Sequence, residues 1–162
     1  MGSLNELVFA LTLVAALGCG IVAGVFFAFS TFVMKALGRV PPEAGIGFMQ
    51  SINVTVLTPW FMGVFFGTGI ACIVALTHSL YHWGETGTLL RFAGSALYLA
   101  GSILVTIVFN VPRNERLAAV SPADPSSEEV WGSYVSSWTA WNHVRTAASF
   151  AAAALFGMAL GS

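Results

Sequence analysis

Residues 7–34 carry no formal charge, in a run bounded by Glu6 and Lys35. A bilayer core takes roughly 20 apolar residues per helix, so this run predicts a first span. It is too long for a signal-peptide core and lacks a basic flank, so it reads as retained. Three further apolar stretches follow, at about 57–76, 92–109 and 138–160, and only the last holds a charged residue, Arg145. The pattern predicts an all-α fold: a membrane-embedded antiparallel four-helix bundle, a single integral domain over residues 1–162. Its larger loops are residues 35–56 and 110–137.

Helices in lipid associate through close packing at small residues. The spacing points to stripes at Ala16, Gly20, Gly24 and Ala28 in span one and Gly63, Gly67, Ala71 and Ala75 in span two. Span three offers Gly94 and Gly101; span four offers Ala147, Ala151 and Leu155, with Ala148 and Ala152 beside them. The same stripes suit homo-oligomer contacts. In the first loop, Pro42 suits the first position of a short amphipathic helix through Ala44, Phe48, Met49 and Ile52. In the second, Ser126 with Glu129 forms a capping-box pattern, and Asp124-Pro125 is a competing start. No breaker then occurs before Gly157, so a helix over 127–160 spans about 51 Å and stands well outside a core of about 30 Å.

Composition sharpens the class. Six basic and seven acidic residues make 8 % of a chain that is 57 % apolar, against about 25 % charged in soluble domains. A net charge of −1 removes the basis for nucleic-acid binding. Cys19 and Cys72 both lie in apolar runs and read as packing residues. Lys35, Arg39, Arg113, Arg116 and Arg145 fall toward one side and Arg91 toward the other. The positive-inside rule then places both larger loops in the cytoplasm and both termini outside. That placement makes the Asn53-Val54-Thr55 glycosylation pattern irrelevant.

The emergent part of the fourth helix carries Trp131, Tyr134, Trp138, Trp141, Asn142 and Arg145 on one stripe. An aromatic belt at headgroup depth accounts for the first two residues; the polar residues a turn deeper need another reason. An intramembrane cation faces the bundle and takes polar partners. Asn110, Asn114, Gln50 and Asn53 lie at matching depth on the same side. His143 is the one side chain there able to act as a base near neutral pH, although an ideal helix sets it about 100° from Asn142 and about 200° from Arg145. No acidic residue falls inside a span, which disfavours carboxylate relays and di-iron chemistry. His78 and His82, an i, i+4 pair at the opposite end, are weak metal or haem candidates. No phosphate loop, nucleophile elbow or cysteine pair at metal spacing occurs.

At these residues the chain resembles the anthrone oxygenase family of small four-span membrane proteins. The resemblance rests on Phe29-Ser30-Thr31-Phe32-Val33-Met34, Met49-Gln50-Ser51-Ile52-Asn53 and Pro59-Trp60-Phe61. It continues through Asn110-Val111-Pro112-Arg113-Asn114 and Trp138-Thr139-Ala140-Trp141-Asn142-His143-Val144-Arg145. Lys35 stands where the family commonly has Pro after that Met, and Arg113 where it often has Leu, adding positive charge at the mouth. The resemblance implies oxidation of an anthrone to an anthraquinone, with O2 as co-substrate and neither metal nor flavin. His143 is then the expected base, with Asn142 and Arg145, and Asn110 beside them, stabilising the oxyanion. Trp138, Trp141 and Tyr134 are the expected ring platform, with Asn114, Gln50 and Asn53 completing a substrate pocket. Two readings compete: a redox protein holding haem or a quinone, and a non-catalytic accessory subunit of a membrane complex. A channel or transporter is disfavoured by spans without charges or interrupted midpoints.

Overall fold

The computed structural model describes residues 2–162, with side chains from Asn5 onward. Four helices are long and apolar enough to cross a membrane: α1 (Asn5–Leu37, helical from Gly2), α3 (Pro59–Tyr81), α4 (Thr88–Ala118) and α5 (Ser127–Leu160). A shorter helix, α2 (Pro42–Thr55), lies between α1 and α3. The spans run alternately up and down. α1 packs along α5 and α3, and α4 packs along α5 and α3, which closes the ring. Large apolar side chains such as Leu17, Ile21, Phe66, Ile70, Ile107 and Phe150 point outward and exposed. An outward apolar surface of this kind suits lipid as its solvent. The protein is a multi-pass membrane protein.

The end of the bundle that holds α2 has a core of Met34, Ile46, Met49, Leu117, Trp131, Tyr134 and Trp138. The other core runs through the spans, from Ala15, Cys19, Val22 and Phe26 to Phe65, Cys72, Tyr98 and Phe156. Cys19 and Cys72 are free and buried within it. Burial leaves Tyr98 needing a partner, and its hydroxyl donates to the Phe65 carbonyl at 3.0 Å.

Local rules set the ends. Pro42 and Pro59 occupy first turns, where the missing N–H costs nothing. Helix α5 begins at Ser127, but the capping box does not form. Asp124 Oδ1 accepts from the Ser126 amide at 2.9 Å in the turn before the helix, which begins at Ser127 as the sequence predicts. That bond holds the Asp124 carboxyl below its usual range. The buried face of α2 is Gly45, Ile46 and Met49, while Phe48 is exposed, a rotation from the expected stripe. Gly45 explains it: a Cβ there would sit 2.7 Å from the Trp131 ring, so only glycine lets α2 lie on α5.

The small-residue stripes are partly displaced. Gly20, Gly24, Gly63 and Gly67 meet nothing within 4 Å, and Ala147 and Ala151 are exposed. The contacts fall one or two positions away, at Ala15, Gly18, Cys19 and Val22 in α1. Gly94, Gly101, Ala71, Ala75, Ala148 and Ala152 do face neighbours. A Cβ on Gly101 would overlap that of Ala148, and one on Gly18 would overlap the Thr68 hydroxyl. Gly101→Leu should therefore destabilise the bundle by about 1–3 kcal/mol. Gly67→Leu should leave the melting temperature unchanged; thermal unfolding in detergent compares the two.

Candidate functional site

Three π-type turns interrupt otherwise regular spans: Phe29–Val33 in α1, and Leu99–Leu104 and Thr106–Asn110 in α4. Such turns re-aim side chains and recur at functional sites. Pro112 gives a cause for the last, because it has no N–H for the carbonyl four residues back. Each turn presents a polar side chain to α5. Ser102 bonds Ser149. Ser30 accepts from Asn142 Nδ2 at 2.7 Å. The Thr106 hydroxyl accepts from Arg145 Nη1 at 3.2 Å.

Asn142 is the hub. Its Nδ2 also donates to the Phe26 carbonyl at 2.7 Å, and its Oδ1 accepts from Arg145 Nη2 at 2.7 Å. The Thr146 hydroxyl donates to the Asn142 carbonyl at 2.8 Å. In its 2.9 Å contact with Ser30, Thr146 is then the acceptor and Ser30 the donor. Arg145 is 5 % exposed, with its guanidinium 4.2 Å from the Phe26 ring centre and 5.0 Å from that of Trp138. Its named partners are neutral, and its Nε has none. A buried cation held by amides, hydroxyls and π-faces retains much of its field for whatever approaches.

The aromatic stripe is buried as a ladder. Trp131 stacks on Tyr134 at 5.8 Å, and Tyr134 on Trp138 at 6.1 Å. Asn114 Oδ1 accepts from both Tyr134 Oη and Trp138 Nε1 at 2.8 Å. Asn110 Nδ2 donates to the Trp138 carbonyl at 3.3 Å, and its buried Oδ1 lacks a partner. Gln50 Nε2 donates to the Leu117 and Val120 carbonyls at 2.9 and 3.0 Å, tying down the end of α4. Asn53 Nδ2 is buried without a partner. The expected belt is therefore misplaced: Trp131 and Tyr134 are core residues, and the exposed aromatics at the span ends are Trp60, Tyr81 and Trp83. The ladder's faces are covered by the chain itself. Trp141 leaves the stripe to stack on Phe109, with ring centres 3.5 Å apart.

His143 does not join Asn142 and Arg145, as the 100° helix step requires. It is exposed, and it lines a recess of about 340 Å³ between the end of α1 and α5. Ser30, Lys35, Met34, Val135 and Thr139 line the same recess. Thr139 Oγ1 is buried without a partner. Ser30 thus belongs both to the recess and to the buried network. Sequence reasoning missed Ser30 and Thr106 as site residues, since nothing in their local sequence separates them from other hydroxyls in apolar helices. Only the quoted Phe29-Ser30 motif touched one of them. A second recess, lined by Arg113, Arg116 and Tyr134, opens beside α4.

At the opposite end, the His78 and His82 rings stack 4.1 Å apart at 11°. Parallel rings set their nitrogens side by side instead of converging on one ion. Among the described residues, no group of three or more His, Cys, Asp or Glu gathers at metal distance.

Asn114→Ala should strand the Tyr134 hydroxyl and the Trp138 indole N–H. The expected cost is about 1–3 kcal/mol, with a shift in tryptophan emission, both read in a thermal melt followed by fluorescence.

No curated protein and no solved structure matches the chain. The anthrone oxygenase family model matches residues 60–155, which cover α3, α4 and most of α5, and this is more than half of the chain. The match takes in Asn110, Asn114, Trp138, Asn142, His143 and Arg145, the residues that build the buried network and one wall of the recess, and on it the chain belongs to the anthrone oxygenase family.

Proposed function

We propose that this protein is a membrane oxygenase that converts a flat polycyclic phenolic substrate, of the anthrone type, to the quinone with O2. The observation that carries the reading is the double membership of Ser30. It lines the recess holding His143 and Lys35, and it is hydrogen-bonded through Asn142 to the buried Arg145. The recess opens beside lipid-facing positions, where an apolar substrate partitions. Its volume lies within the roughly 300–1,000 Å³ usual for ligand sites. We place the α2 end of the bundle in the cytoplasm, on the distribution of Lys and Arg.

The chemistry needs a base and a home for negative charge. His143 removes one C10 proton of the anthrone, and the electron pair delocalises onto the ring oxygen. Lys35, Ser30 and Thr139 supply a cation and hydroxyls toward that oxyanion. Arg145 acts through Asn142: by withdrawing density from Oδ1 it strengthens the Nδ2 donor to Ser30, whose own proton turns from Thr146 to substrate. One electron then passes from the anion to O2. Recombination forms a C10–O bond, and the proton from His143 completes a hydroperoxide. Loss of water leaves the second carbonyl. The sum is CH2 + O2 → C=O + H2O, which requires no metal, flavin or haem.

His143→Ala is expected to lower kcat for anthrone at least about 100-fold while the exposed position leaves the melting temperature unchanged. Oxygen uptake in chelator, with protein whose visible spectrum is featureless, is the assay. Unchanged turnover removes His143 from the reaction. A stoichiometric Soret band needed for turnover supports the haem reading instead.

A further inference from the structure

The largest of the recesses described lies at the opposite end from the proposed active site, about 730 Å³ between the start of α1 and the ends of α3 and α5. Its polar lining includes Asn5, Thr12, His78, His82, Glu85 and Arg91. Val8, Phe9 and Leu160 add an apolar wall. Two helices begin and two end here, so helix dipoles offset one another and side chains set the potential.

Arg91 is the centre. It is 8 % exposed, its Nη2 donates to the Thr86 carbonyl at 3.2 Å and to the Thr88 hydroxyl at 3.1 Å, and its Nε has no partner. Gly87 has φ +74°, and a Cβ there would lie 2.9 Å from Nη1, so glycine leaves the guanidinium room beside the recess. His82 Nδ1 lies 3.0 Å from the His78 carbonyl, so it carries the proton and Nε2 is a free acceptor in the neutral ring. The recess therefore offers a buried cation on one part, and an acceptor and a carboxylate, Glu85, on another. It combines these with an apolar wall at the ends of the spans.

We propose that this recess binds a phosphoethanolamine headgroup of a membrane phospholipid, with the phosphate on Arg91 and the primary ammonium on Glu85 and His82 Nε2. Charge-assisted bonds of this kind are short and strong, and guanidinium suits phosphate. The alkyl wall accounts for a lipid in preference to the free headgroup.

The test uses the full chain, delipidated in detergent and titrated with dioctanoyl phosphatidylethanolamine under native mass spectrometry. One retained lipid is expected. Arg91→Gln should weaken retention at least about tenfold, the loss of one charge-assisted hydrogen bond. Arg91→Lys should keep most of it, and Arg113→Gln, at the other end, should change nothing. Circular dichroism checks the fold of each variant. Glu85→Gln should let dioctanoyl phosphatidylglycerol bind as well as the ethanolamine lipid does. Absence of one-to-one retention, or equal retention by wild type and Arg91→Gln, overturns the proposal. So does equal binding of the two lipids by wild type. Displacement of the lipid by equimolar soluble phosphoethanolamine overturns the lipid as occupant.

Discussion

Arg145 is a cation taken out of water by a chain that has no carboxylate within its apolar runs 7–34, 57–76, 92–109 and 138–160. Burial of that kind is costly unless polar groups gather round the charge. The half of the bundle that holds α2 is arranged to gather them. Asn142 on the same helix turns its Oδ1 to the guanidinium, Thr106 comes from α4, and Phe26 and Trp138 lay ring faces against it. Asn142 in turn fixes α1 through the Phe26 carbonyl and Ser30. Groups from three helices thereby meet in one network around the charge. The π-type turns in α1 and α4 are the backbone's side of the same arrangement, because Ser30 and Thr106 both sit in them.

Around this network, packing relies on close approach. Gly45 admits Trp131, Gly101 admits Ala148, and Gly18 admits Thr68. These glycines set the approach of α2 to α5, of α4 to α5 and of α1 to α3. Asn114 then clamps the aromatic ladder by accepting from two rings at once. The ladder itself is filled, and the open recess lies between the end of α1 and α5, where His143 and Lys35 are exposed.

Charge-free runs announce spans in any sequence, and here they located all four helices, with α5 starting at Ser127 and ending at Leu160. The stripe from Trp131 to Arg145 was legible because a 3.6-residue period brings those positions to one face, and five of its six residues are buried together. Which face of α1 packs was not legible. Several faces carry small residues, and the choice fell to partners such as Thr68 that are distant in sequence. The same holds for Ser30 and Thr106. A π-type turn without a local Gly or Pro leaves no mark in the sequence of α1, and a hydroxyl's partner across a helix interface has no sequence spacing. The belt was misread because exposure at headgroup depth depends on what covers a ring, and α2 covers Trp131.

We propose that the uncompensated charge of Arg145 is retained for reaction and contributes nothing net to folding. Replacing buried charge by an apolar side chain of similar length often leaves a protein equally stable or more so. The direct measurement is Arg145→Met, with thermal unfolding and anthrone-dependent oxygen uptake recorded on the same preparation. The expected result is an unchanged or raised melting temperature with uptake reduced at least about 100-fold, the scale of losing preorganised charge stabilisation. A melting temperature lowered by several degrees, with uptake intact, would show a structural cation and contradict it.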